Sequence, residues 1–222
     1  MTRTSLLALI GFLSIAPHPV LSAEYNFEKW EKTIAAFEDS DKANPPPKGA
    51  ILFVGSSTIV KWKTLAQDFP DQKVINRGFG GNQICDSTQF AERMIFPYEP
   101  KMIFLRAGGN DINSGKTPGQ VFEDYKDFVA RVRSKLPGVD IVYIGLCPSV
   151  ARWKNAEKEK ALNGMIEEFA RQNSGLKYVD TWAITLGADG RPRPDLFVAD
   201  RLHLNAEGYK LLAEKVRPFL PE

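Results

Sequence analysis

The stretch AILFVGSST at residues 50–58 decides the fold: an unbroken apolar run from Ala50 to Val54, stopped by a glycine and a turn of small hydroxylated residues. A run of that length suits a strand buried on both faces, as in a parallel sheet, rather than one alternating between core and water. The three prolines at 45–47 separate it from the segment before. There YNFEKWEKTIAAFEDSDKA (25–43) places Phe27, Trp30, Ile34 and Phe37 on one helical face.

Downstream, short apolar runs recur at KVIN (73–76), MIFL (102–105), IVYIGL (141–146) and KYVD (177–180). Helical patterns alternate with them. Over 117–135, Val121, Phe122, Tyr125, Phe128, Val129 and Val132 share a face behind a Thr-Pro start and before a Pro-Gly stop. Over 154–172 the face is Leu162, Met165, Ile166, Phe169 and Ala170. Over 206–220 it is Tyr209, Leu212, Ala213, Val216 and Leu220, with Asn205 as N-cap. Strand and helix alternating with short connections predict an α/β domain, its mostly parallel sheet covered by helices on both faces. No repeat, linker or low-complexity tract divides it.

With 29 basic and 27 acidic residues, two Cys and two His among 222, the chain has neither the basic stripe of a nucleic-acid binder nor the cysteines of a disulfide scaffold. Residues 1–23, MTRTSLLALIGFLSIAPHPVLSA, set Arg3 before an apolar run from Leu6 to Ala16 that Pro17, His18 and Pro19 interrupt. That run is shorter than the roughly 18–20 apolar residues of a spanning helix. It reads as a secretory signal peptide cleaved after Ala23, giving a secreted or periplasmic protein without a membrane span; the other reading is an uncleaved anchor or an unstructured N-terminus. Cleavage removes one basic residue, leaving 28 against 27 acidic, and one of the two histidines, leaving His203. Cys85 and Cys147 lie in different βα units, and their spacing favours free thiols over a bridge.

In such sheets function sits in the loops beyond the carboxyl ends of the strands. GSST (55–58) can expose a serine hydroxyl at a helix N-terminus, although Ile59 excludes a G-x-S-x-G elbow and the next residues exclude a P-loop. NRGFGGNQ (76–83) has the glycines that let backbone N–H groups approach a ligand. RAGGND (106–111) offers the Asn110 side-chain amide as an oxyanion donor. VADRLHLNAEG (198–208) puts Asp200 three residues before His203, where a carboxylate can fold back and hold the imidazole. Each alone is a common cap or turn. Together they are the parts of acyl transfer: a nucleophile, a base, its orienting acid and oxyanion donors.

The four loops, in this order, resemble the conserved blocks of the SGNH (GDSL-type) hydrolases over about residues 49–220, so that 24–48 becomes an N-terminal helical segment and 49–222 the hydrolase domain. The resemblance implies a three-layer α/β/α flavodoxin-like sandwich with a five-stranded parallel sheet in the order 2-1-3-4-5. It also implies a serine esterase that needs no metal or other cofactor. Ser57 would be the nucleophile, with Asp200 and His203 completing the triad. The Ser57 and Gly81 N–H groups and the Asn110 amide would form the oxyanion hole. Ser56 stands where the family has aspartate, which puts turn rigidity in question more than activity. CPSVARW (147–153) resembles a stretch of the branch near the platelet-activating-factor acetylhydrolase catalytic subunits. Ser56, Arg152 and Trp153 are accordingly expected to line the substrate, while packing over the sheet edge is the alternative for Arg152 and Trp153. Asp111, Asp180 and Asp195 rank below Asp200 because none precedes His203 by three residues.

The leading expectation is a secreted esterase that removes short acyl groups, acetyl above all, from carbohydrates or small alcohols. The chain has no long insertion that could build a lid or a lipid groove. A lysophospholipase or platelet-activating-factor-like acetylhydrolase is the enzymatic alternative. A non-catalytic carbohydrate-binding module on a hydrolase scaffold is the alternative of another class.

Overall fold

The structure, a computed structural model, describes residues 25–221, so the expected signal peptide lies outside the described residues. A 3-10 turn, Glu28–Trp30, leads into α1 (Glu31–Ala43), then β1 (Ile51–Gly55), α2 (Ser57–Val60), α3 (Leu65–Asp68) and β2 (Val74–Gly78). Next come α4 (Ile84–Gln89), α5 (Ala91–Met94), β3 (Met102–Arg106), α6 (Gly109–Asn113) and α7 (Pro118–Lys135). The chain closes with β4 (Asp140–Ile144), α8 (Ala156–Gln172), β5 (Leu176–Val179) and α9 (Ala206–Val216). The five strands are all parallel, in the order β2-β1-β3-β4-β5.

The opening stretch lies at the centre of that sheet. Every residue of β1 is buried because strands flank both its edges and helices cover both its faces. Its side chains divide by alternation. Leu52 and Val54 join the core under α1, α4, α5, α7 and α8, whereas Ile51 and Phe53 join the one under α2, α3 and α9. Phe53 is in register with Phe104 of β3, and their rings stack with centroids 4.7 Å apart.

The helices follow the sequence pattern with local departures. Thr117 caps α7 through a reciprocal pair with Gln120, and Asn205 caps α9 by accepting from the Gly208 N–H at 3.1 Å. Met165, expected on the buried face of α8, is 41% exposed; its neighbours Leu162 and Ile166 fill that face. β4 stops at Ile144, two residues short of the apolar run, because the Leu146 N–H and C=O pair with the side-chain amide of Asn163 on α8. Cys85 and Cys147 are both free. Among the described residues no helix is long and apolar enough to cross a membrane.

Candidate active site

Gly55 ends β1 at φ +143°, and a Cβ there would stand 2.1 Å from the Arg106 carbonyl oxygen. Only glycine lets the chain leave the sheet so close to β3. The Ser56 N–H donates to that carbonyl at 3.0 Å, and Ser56 takes the N-cap position of α2. Ser57 is therefore the first residue of α2, with an N–H that no helical carbonyl can accept and that donates to no described residue. The Ser57 Oγ lies 2.8 Å from His203 Nε2.

His203 reaches it from the loop before α9. That loop is pinned by the Phe197–Leu204 bridge and by a bond from the Val198 N–H to the His203 carbonyl. Asp200 folds back as its spacing predicted: Oδ2 meets His203 Nδ1 at 2.5 Å, and Oδ1 accepts the Leu202 and His203 N–H groups at 2.9 Å each. The bond to His203 holds the Asp200 carboxyl well below the usual carboxylate range. A carboxylate fixed by two backbone donors, an imidazole and a hydroxyl thus stand in one hydrogen-bonded line.

The glycine loop after β2 runs beside this line; a Cβ on Gly80 would be 4.0 Å from that of Ser57. Gly81, at φ +88°, is exposed and its N–H donates to no described residue. It is not among the residues lining the pocket at Ser57. Asn110, in the first turn of α6, is held from both ends. Its Nδ2 donates to the Asn82 carbonyl at 2.9 Å, and its Oδ1 accepts from Arg152 Nη1 at 3.0 Å. The amide can take no other orientation without losing both bonds, and one Nδ2 proton remains for a ligand.

Ser56, Ser57, Asn110, Arg152 and His203 all line a cavity of about 60 Å³. Trp153, expected beside Arg152, does not. The 3-10 turn Trp153–Asn155 carries its ring away to pack under the Arg191 guanidinium, 5.1 Å from the ring centroid. The other acids stay apart from the imidazole. Asp111 is fully buried and accepts the Ile84 N–H at 3.1 Å, its carboxyl pushed up to about 6 by burial. Asp180 receives the Trp182 N–H, and Asp195 pairs with Arg193.

Sequence reasoning passed over Arg106 and Glu159, which also line the pocket although each is 5% exposed. Arg106 Nη2 approaches Cys147 Sγ at 3.0 Å, and a second bond holds the Gly145 carbonyl. An arginine straight after the apolar run MIFL was a legible signal; Glu159, inside the charged EKEK of a helix start, was not. Among the described residues no group of three or more His, Cys, Asp or Glu side chains is arranged to hold a metal ion.

The model of the GDSL-like lipase/acylhydrolase family matches residues 54–211, from the end of β1 into α9. The chain belongs to that family. It is accordingly a carboxylic ester hydrolase, and the family acts on small ester substrates. No curated protein matches the sequence significantly. Solved structures share the fold of this GDSL-like hydrolase at low identity. A Streptococcus pneumoniae protein provisionally named a platelet activating factor is 20% identical with a TM-score of 0.77, the match covering 88% of this chain and 94% of that one. A GDSL-like lipase from Bacteroides thetaiotaomicron is 18% identical at 0.69, covering 87% and 96%. A mutant of a Geobacillus acetyl-xylooligosaccharide esterase is 17% identical at 0.63, covering 79% and 96%.

Proposed function

We propose that this hydrolase is a secreted or periplasmic serine esterase that removes short acyl groups, acetyl above all, from carbohydrates or small alcohols. The observation that carries the reading is the continuous contact from Asp200 through His203 to the Ser57 hydroxyl, which lines a cavity of about 60 Å³. In this reading His203 Nε2 takes the Ser57 proton as Oγ attacks the ester carbonyl. Asp200 keeps the other ring nitrogen protonated and stabilises the imidazolium. The carbonyl oxygen, gaining charge, is met by the Ser57 and Gly81 N–H groups and by the free Nδ2 proton of Asn110. His203 then hands its proton to the departing alkoxide. Water, activated by the same imidazole, releases the acid and restores the serine.

A cavity of this size accommodates an acetyl group. The acetyl-xylooligosaccharide esterase of the same fold gives a precedent for a sugar as the alcohol. Export rests on residues 1–23 with cleavage after Ala23. The test is a series of p-nitrophenyl esters from acetate to decanoate. Acetate is expected to give the highest kcat/KM, and Ser57→Ala to lower kcat by about 10⁶-fold. Preference for the longest chains would replace this reading with a lysophospholipase, and full turnover by Ser57→Ala would remove the nucleophile.

A further inference from the structure

The cavity beside Ser57 is lined by three charged residues, Arg106, Arg152 and Glu159. Glu159, in the first turn of α8, is 5% exposed and lines the cavity. Its carboxyl makes no hydrogen bond with a described residue; what acts on it is burial and the charges of Arg106 and Arg152. Arg152 Nη1 is spent on the Gly109 carbonyl at 3.2 Å and on Asn110 at 3.0 Å, while its Nε and Nη2 have no partner among the described residues. Glu159 Oε1, Arg152 Nη1 and Leu146 Cδ2 stand 3.8, 3.8 and 3.9 Å from where a Cβ on Gly109 would be, so the missing side chain of Gly109 leaves open space beside all three.

The Glu159 carboxyl can be reached from the cavity, and a ligand group that covers it without satisfying it is costly. A methyl group in this space would leave the Glu159 carboxyl and the free Arg152 Nε and Nη2 without a partner. An ammonium would face the guanidinium groups of Arg106 and Arg152, and a carboxylate would face Glu159. A hydroxyl can donate to Glu159 Oε1 and accept from the Nε or Nη2 N–H that Arg152 leaves free. We propose that Glu159 and Arg152 form a hydroxyl-reading subsite, so that the enzyme selects esters carrying a hydroxyl close to the ester group. That hydroxyl belongs either to a short 2-hydroxyacyl group or to the carbon next to the esterified one in a polyol or sugar. The inference rests on Ser57 being the esterase nucleophile, and it adds a specificity that a small pocket alone would not have.

Two matched pairs of esters test it by pH-stat titration of released acid. Ethyl glycolate against ethyl propanoate places the hydroxyl on the acyl side; 2-hydroxyethyl acetate against propyl acetate places it on the alcohol side. Each ratio of kcat/KM is divided by the ratio for alkaline hydrolysis, which removes intrinsic reactivity. One pair is expected to retain a preference of about tenfold or more for the hydroxylated ester, since a site built for a hydroxyl rejects analogues lacking it strongly. Glu159→Leu should bring that ratio to about one. Glu159→Gln, which keeps an acceptor oxygen and the size of the side chain, should restore part of it. Wild-type ratios near one in both pairs overturn the subsite without needing any variant to fold, and so does a preference that survives Glu159→Leu. Failure of the wild type on all four esters, or turnover retained by Ser57→Ala, removes the underlying reading and the subsite with it. Arg152 is left unchanged in these variants because it also holds Asn110.

Discussion

Asp200 and Asn110 differ in how much of their placement could be read from the chain. Asp200 stands three residues before His203, and the return of its carboxyl onto the imidazole at 2.5 Å is a local event. Asp200→Asn is expected to lower kcat about 10⁴-fold with little change in KM, because the amide would favour the wrong tautomer of the ring. Asn110 is oriented instead by Asn82 and Arg152, residues 28 and 42 positions away. Asn110→Ala should cost about 10²–10³ in kcat, the usual loss for one oxyanion donor. Arg152→Ala removes the bond to Oδ1 and frees the amide to rotate. On an ester without a hydroxyl, kcat should then fall roughly 10–100-fold, as small misplacements near reacting atoms do. Steady-state kinetics on ethyl propanoate would check all three. An Arg152→Ala enzyme with unchanged kcat would mean that Asn82 alone holds the amide.

At the scale of elements, the strands were the most legible part of the sequence. In the inner strands β1, β3 and β4 burial leaves an unbroken apolar run, and the partly exposed edge strands β2 and β5 keep shorter ones. The five runs beginning at 50, 73, 102, 141 and 177 correspond to β1 to β5 with ends moved by one or two residues. The short helices α2 to α6 were not legible: four to six residues hold too few turns to show a period, and contacts with the sheet form them. One such contact gives a pH signature. Asp111 of α6 is buried and bonded to the first N–H of α4, which ties the Asn110 loop to the end of the glycine loop. Its folded carboxyl is pushed up to about 6, whereas an unfolded aspartate ionises near pH 4. The native state therefore holds the proton longer, and stability present below about pH 4 declines as pH rises towards 6. At about 1.4 kcal/mol per pKa unit the loss is on the order of 3 kcal/mol. Glu159, pushed up to about 7 by burial, extends the decline in the same direction. Urea midpoints against pH should show a flatter slope between about pH 4 and 6 in Asp111→Asn, with the fall towards 7 remaining. The depressed Asp200 acts oppositely, adding stability that is lost in stronger acid.

Across the whole molecule, the N-terminal helical segment is built into the same body as the sheet. Ile34 is fully buried in the larger core, Asp41 pairs with Arg77 of β2, and Glu38 pairs with Arg93 of α5. Trp30 packs against Phe79, and its ring would stand 3.4 Å from a Cβ on Gly81. Ile34→Ala is expected to cost about 2–5 kcal/mol in one cooperative unfolding transition followed by circular dichroism. A separate early transition would show that α1 unfolds by itself. The sequence by itself determined the class of fold, the order of the chemistry-bearing loops and the Asp200–His203 pair, since apolar runs, turn residues and short spacings are local properties. Only the tertiary structure decided that Trp153 turns away from the pocket, that Arg152 orients Asn110, and that Arg106 and Glu159 line the cavity beside Ser57. Those placements depend on loops from β1, β3 and β4 converging at one end of the sheet. A charged residue facing a cavity across such a convergence has the same local sequence as one facing water.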